Sequence, residues 1–109
     1  MKRVSLLFII FITLYSCKKS DGATSEIPCN PSVSFAATVK PILINNCAIK
    51  DCHDGNNMPA IADTYILARD NSPQIKFVVE NGSMPKGFKL SATDKAAILC
   101  WIDNGSKNN

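Results

Sequence analysis

The chain has 109 residues, enough for one small domain once any targeting segment is set aside. Its formal net charge is +3 at pH 7, and without Lys2 and Arg3 the balance is ten basic against nine acidic residues, about +1. No basic patch is present, which argues against a nucleic-acid partner, and no catalytic dyad, triad or phosphate-binding loop is legible, so a stand-alone enzyme is not expected.

Residues 1–16 read as a signal peptide. MKRV supplies a short basic start, and SLLFIIFITLY is almost wholly apolar. That run is short for a bilayer span, which needs about 20 apolar residues. The structural alternative is a short buried helix. LYSC, Leu14 to Cys17, resembles a bacterial lipoprotein lipobox, with leucine three places before cysteine. The resemblance implies cleavage before Cys17 and a diacylglyceryl group on its thiol, hence an exported protein facing the periplasm on a lipid anchor. Two or more acyl chains hold a protein stably where one does not. Residues 17–33 then form a lipidated tether, since KKSDGATSEIP is small and polar.

A domain over 34–109 comes next, and every element expected in it is a helix. Ser34 can cap FAATVKPILINN, with Phe35, Val39, Ile42 and Leu43 on one side. Pro41 lies inside that stretch, so the helix should bend or restart there. A short helix is expected over 64–69 in DTYILARD, capped by Asp63, and another over about 73–81, with Ser72 as cap, Pro73 at the first helical position and Gly82 as stop. Ile75, Val78 and Val79 should face inward. The clearest element is LSATDKAAILCWIDNGSK: Ser91 caps, Asp94 stands where a capping box wants an acid, Ala96, Ala97, Leu99, Cys100, Trp101 and Ile102 supply the apolar content, and Gly105 ends a helix over about 92–104. No alternating strand pattern or repeat is seen, so the class is all-α. Large aromatic side chains are few, and a bundle this small would gain from an apolar cofactor at its centre.

Five cysteines need uses. Cys17 is taken by the lipobox, and Cys47 and Cys52 belong to one motif, leaving Cys29 and Cys100 as an even pair in an oxidising compartment. A bond between them would close a loop of about 70 residues, worth roughly 4 kcal/mol in the loop-entropy picture. The alternative is two buried free thiols.

The motif is CAIKDCH, residues 47–53. A histidine directly after the second of two spaced cysteines is the pattern of covalent haem attachment, in which two residues usually separate the cysteines. Here four do, so AIKD must bulge outward, which small Ala48 and turn-tolerant Asp51 allow. Three other readings compete. Structural zinc would need Cys29 or Cys100 as a fourth ligand, and zinc sites prefer two spaced pairs. A Cys47–Cys52 disulfide would leave His53 a bystander. A thiol redox pair would want a βαβ setting, which is absent. Histidine-held haem iron often takes methionine on its other face, and GSMPKGFKLS, 82–91, offers Met84 in a loop before the last helix. Pro85 favours an extended Met84, and Gly82 and Gly87 permit bends. Met58 also precedes a proline, but it lies five residues from His53, too close to pass easily to the opposite face. For both methionines the bland reading is core filling. Lys86 and Lys89 could steer an acidic partner or merely form a solvated face. Trp101 reads as packing, with no chemistry assigned.

Taken together, FAATVKPILINNC, the CH pair, MPKG and LSATDKAAILCWIDNG resemble a small class I cytochrome c, and most closely the monohaem domains of bacterial lipoproteins. The resemblance covers roughly 34–106 and departs from the family in the four-residue gap. It implies a cytochrome c-like helical fold around one haem, with crossing first and last helices. It further implies covalent attachment through Cys47 and Cys52, with His53 and Met84 as axial ligands of the iron. The expected function is single-electron transfer with transient redox partners, as a monomer held at the membrane by lipid. The crossing helices would also bring the segment before Phe35 near Cys100. The alternatives are a haem-binding sensor or accessory subunit, and a non-haem, disulfide-stapled binding lipoprotein.

Overall fold

Ser34 caps the first helical turn. In the computed structural model, which describes residues 27–56, 58–60 and 64–109, its Oγ accepts from Ala37 N at 3.1 Å. The expected cap is therefore present. Beyond the cap, a π-helical turn, Phe35–Val39, runs directly into α1, Lys40–Asn46. The widened turn is the local answer to Pro41. Val39 N and Lys40 N both reach back five residues, to Ser34 O and Phe35 O. Regular α-helical bonding then resumes with Pro41 in its first turn, where a missing N–H leaves no interior bond unmade. The expected restart thus lies one residue before the proline.

Two short helices succeed the cysteine loop. α2 spans Tyr65–Asp70, and its cap is Thr64, whose Oγ1 accepts from Leu67 N at 3.3 Å. The cap expected at Asp63 falls outside the described residues. α3 spans Ser72–Glu80, with Asn71 in the N-cap position. The cap expected at Ser72 is corrected: Ser72 is the first helical residue and is buried, and Pro73 is the second. Gly82 stops α3 as expected, in the left-handed region at φ 73°.

α4, Ala92–Asp103, matches its expected span closely. Ser91 Oγ accepts from Asp94 N at 3.0 Å. At the other end Gly105 N donates to Ile102 O and Ser106 N to Trp101 O, the paired bonds of a Schellman stop, with Gly105 at φ 90°. Ile98 is fully buried here, although it was absent from the apolar residues singled out in the sequence.

The core forms where the π-turn, α1, α3 and α4 meet. Val39, Leu43, Ala68 and Ile98 have no exposed surface, and Trp101 and Phe35 are nearly as buried. Phe35 stacks at 5.2 Å on Trp101 and meets Tyr65 edge-on at 5.4 Å. Each such pair adds about 0.5–1.5 kcal/mol beyond its area. The polar edges of these rings are satisfied by the chain after α4: Trp101 Nε1 donates to Lys107 O at 2.8 Å and Tyr65 OH to Ser106 O at 2.8 Å.

The first helical segment is clasped by the same tail. Asn109 Oδ1 accepts from Phe35 N at 2.9 Å and Asn109 O accepts from Ala36 N at 3.0 Å. Ser34 Oγ donates to Asn109 O at 2.7 Å, and Asn109 Nδ2 donates to Val33 O at 3.2 Å. Helix-start N–H groups that have no intrahelical acceptor are thereby satisfied. A disulfide joins Cys29 to Cys100 with Cα atoms 5.3 Å apart, fastening the segment before Phe35 to α4.

About half of the described residues are helical, and there is no strand among them. The all-α class is therefore borne out. No helix among the described residues is long and apolar enough to cross a membrane. The expected signal peptide, Cys17 and most of the expected tether lie outside the described residues.

Candidate functional site

α1 ends at the cysteine loop. Cys47 leaves the helix with φ −123° and ψ −46° while its N–H still reaches Leu43 O at 2.8 Å. Ala48 N shares that acceptor at 3.0 Å. The next residues turn outward: Cys52 N donates to Ile49 O at 3.0 Å, and Asp51 takes a left-handed φ of 64°. His53 N then donates to Cys47 O at 2.9 Å. The four residues between the cysteines thus form a closed bulge, and the chain returns with His53 beside Cys47.

The histidine ring is oriented by a backbone group. His53 Nδ1 lies 3.0 Å from Pro59 O. A carbonyl only accepts, so the proton sits on Nδ1 and the Nε2 lone pair is left to coordinate. The loop after His53 is braced separately. Asp54 accepts from Asn56 N and Asn56 Nδ2 at 3.0 Å each, which holds its carboxyl below the usual carboxylate range.

The loop faces a hollow of about 230 Å³. Cys47, Cys52 and His53 form one wall, and Ile75, Val78 and Val79 of α3 form another. Met84, Pro85, Lys86 and Phe88 come from the segment between α3 and α4, and Met58, Asn46 and Asp51 complete the border. All four residues expected to hold a haem, namely Cys47, Cys52, His53 and Met84, therefore border one cleft. The rival Met58 borders it too, 41% exposed, whereas Met84 is half-buried. Trp101 lies in the core and does not line the cleft.

Cys47 and Cys52 are not bonded to each other. Both are free. Burial, with the Cys52 thiol adding to it, pushes the Cys47 thiol up to about 11. The zinc reading loses its fourth ligand, because Cys29 and Cys100 are bonded to each other. Among the described residues no three His, Cys, Asp or Glu side chains converge tightly enough to hold a metal ion. Haem makes a different demand. It needs two thiols at its edge, one nitrogen and one thioether facing its iron, and apolar walls. The donor set at this cleft fits that list.

Several groups at or behind the cleft were not legible in advance as part of the site. Val78 and Val79 carried only a core-face signal. Phe88 and the Pro59 carbonyl carried none, since a lone aromatic in a loop and a backbone oxygen leave no pattern. No protein-family model, curated protein or solved structure matches this chain.

Proposed function

We propose that this chain is a membrane-anchored monohaem cytochrome c that carries single electrons between redox partners. The observation that carries the reading is the meeting of Cys47, Cys52, His53 and Met84 at one apolar cleft, from segments more than 30 residues apart. A haem bound there supplies reversible one-electron iron chemistry. The chain's own residues do the rest. Cys47 and Cys52 would hold such a group covalently through their thiols. His53, its Nδ1 proton held by Pro59 O, would hold the iron through Nε2, and Met84 would hold it through its thioether. Ile75, Val78 and Val79 exclude water from the pocket side. Partners dock weakly through a small interface and leave quickly. On the lipobox reading, Cys17 carries the acyl anchor and the domain faces the periplasm as a monomer.

The test is a reduced pyridine haemochrome spectrum of protein matured in a periplasm equipped for haem attachment. A c-type band that survives acid-acetone extraction is expected, and its shape distinguishes one thioether from two. A colourless protein from two different maturation systems would overturn the reading. One observation favours a second reading, a haem sensor: among the described residues, the backbone of the Met84 segment is tied to α3 by one bond, Met84 N to Val78 O at 3.2 Å, and 85–90 make no further hydrogen bond outside their own local turn. Carbon monoxide binding whose rate rises in strict proportion to concentration would support that alternative, because it requires an iron face already open.

A further inference from the structure

Met58 has no part in the proposed haem, yet it borders the same cleft as Cys47 and Cys52. Lying five residues after His53, it is poorly placed to reach the opposite face of a haem. A bare ion makes the contrary demand. Its donors must approach a single point, and donors from one short stretch of chain do so readily.

Backbone bonds gather that stretch. His53 N donates to Cys47 O at 2.9 Å, which returns the chain to the start of the bulge. His53 Nδ1 lies 3.0 Å from the carbonyl of Pro59, the residue after Met58. Gly55 N donates to Met58 O at 3.2 Å, and Gly55 makes that return possible in the left-handed region at φ 85°. Met58 is therefore tied to the cysteine loop through two successive carbonyls. It is 41% exposed, and both thiols are half-buried, so these donors can be reached from solvent.

The chemistry of the donors selects the ion. Two thiols and a thioether form an all-sulfur set, and soft sulfur donors favour copper(I) over hard divalent ions. Zinc wants a closed tetrahedron of Cys and His. Among the described residues no three His, Cys, Asp or Glu side chains converge closely enough to supply one. Copper(I) is satisfied by fewer donors, and a thioether counts among them.

We propose that the haem-free chain holds one copper(I) ion on the sulfur atoms of Cys47, Cys52 and Met58. Each coordinating thiol loses its proton to water as its sulfur bonds to the metal. The copper stays monovalent throughout, so no oxidant or reductant is consumed. This site goes beyond the proposed electron carrier and does not depend on it. A haem attached through the same two thiols would exclude the ion. The two methionines of the cleft then have separate uses, Met58 for the ion and Met84 for the haem iron.

The experiment titrates copper(I), supplied anaerobically as its acetonitrile complex, into the haem-free full chain against the chromophoric chelator bicinchoninate. The chain carries Cys17→Ser; Cys29 and Cys100 stay bonded to each other, which leaves Cys47 and Cys52 as its free thiols. One copper per chain is expected, and Cys47→Ser or Cys52→Ser should abolish tight binding. Met58→Ala should weaken it at least about tenfold, the lower end of what even an outer-shell partner contributes. Met84→Ala should leave it unchanged. Unaltered circular dichroism shows that the variants keep their helices. Binding as tight in Met58→Ala as in wild type would reduce the site to an ordinary dithiol and overturn it. Dependence on Met84, zinc held as tightly as copper, or no binding that outcompetes the chelator would overturn it equally. The haem reading fails separately: a chain that stays colourless after haem maturation but takes copper keeps this site and loses the cytochrome, and a coloured one whose haem-free form refuses copper does the reverse.

Discussion

Replacing Cys29 with serine opens the bond to Cys100 and should be the most costly single change at an exposed position. The two cysteines are separated by 71 residues. A cross-link over that distance removes about 4 kcal/mol of conformational freedom from the unfolded chain at 25 °C. Few local terms offset or add to this. Cys100 stays buried and behaves as a small apolar residue, so no cavity forms. The Asn104 amide, 3.3 Å from Cys100 Sγ and 3.6 Å from Cys29 Sγ, loses only a weak acceptor. The Asn109 clasp still holds residues 33–36. The expected loss is therefore about 4 kcal/mol, a large part of the 5–15 kcal/mol typical of a domain. Urea unfolding of matched preparations measures it, and a thiol reductant should bring the wild type to the level of Cys29→Ser while leaving that variant unmoved. A loss below about 1 kcal/mol would refute the entropic account, because it would mean the unfolded chain gains little freedom when the staple is cut.

Asn109→Ala removes the acceptor for Phe35 N and the donor to Val33 O, costing about 1–2 kcal/mol. A melting temperature within a degree of wild type would contradict it, since each kcal/mol should shift a domain of this size by roughly 4–8 °C. Trp101→Ala should cost about 3–5 kcal/mol, seen in the same unfolding assay, because it empties the centre of the core and breaks the Phe35 stack. In haem-free protein the folded state holds the Cys47 proton more tightly than the unfolded state does. That contribution to stability is complete below the ordinary thiol value of 9.0 and is lost as pH climbs towards 11. Alkylation of Cys47 below pH 9 should accordingly be much slower in folded than in urea-unfolded protein, as mass spectrometry would show. Met84→Ala should change the haem spectrum in the reduced state and Met58→Ala should leave it unaltered; the reverse result would exchange the roles of the two methionines.

Much of the helical layout is legible because its signals are local. A cap joins residues three apart, and a glycine stop acts within one turn. Ser34, Ser91, Gly82 and Gly105 were readable for that reason. Thr64 and Asn71 were missed because two polar residues stand side by side at each start, and local propensity does not choose between neighbours. Pro41 announced a conflict without its resolution: whether a helix breaks, kinks or widens depends on what packs against it, and here Phe35 and Val39 must both reach the core.

The residue types at the site were in the sequence: two thiols and an imidazole at one spacing, a thioether before a proline, and a cysteine pair left for a staple. Their chemistry is a property of side chains and spacing. Tertiary packing decided that Met84 and Met58 border the same cleft as the cysteine loop, that α3 lends Val78 and Val79 to its wall, and that Pro59 O orients His53. It also decided that Asn109 clasps a helix more than 70 residues away. These are contacts between distant segments, created when helices choose their neighbours, and no local pattern encodes that choice.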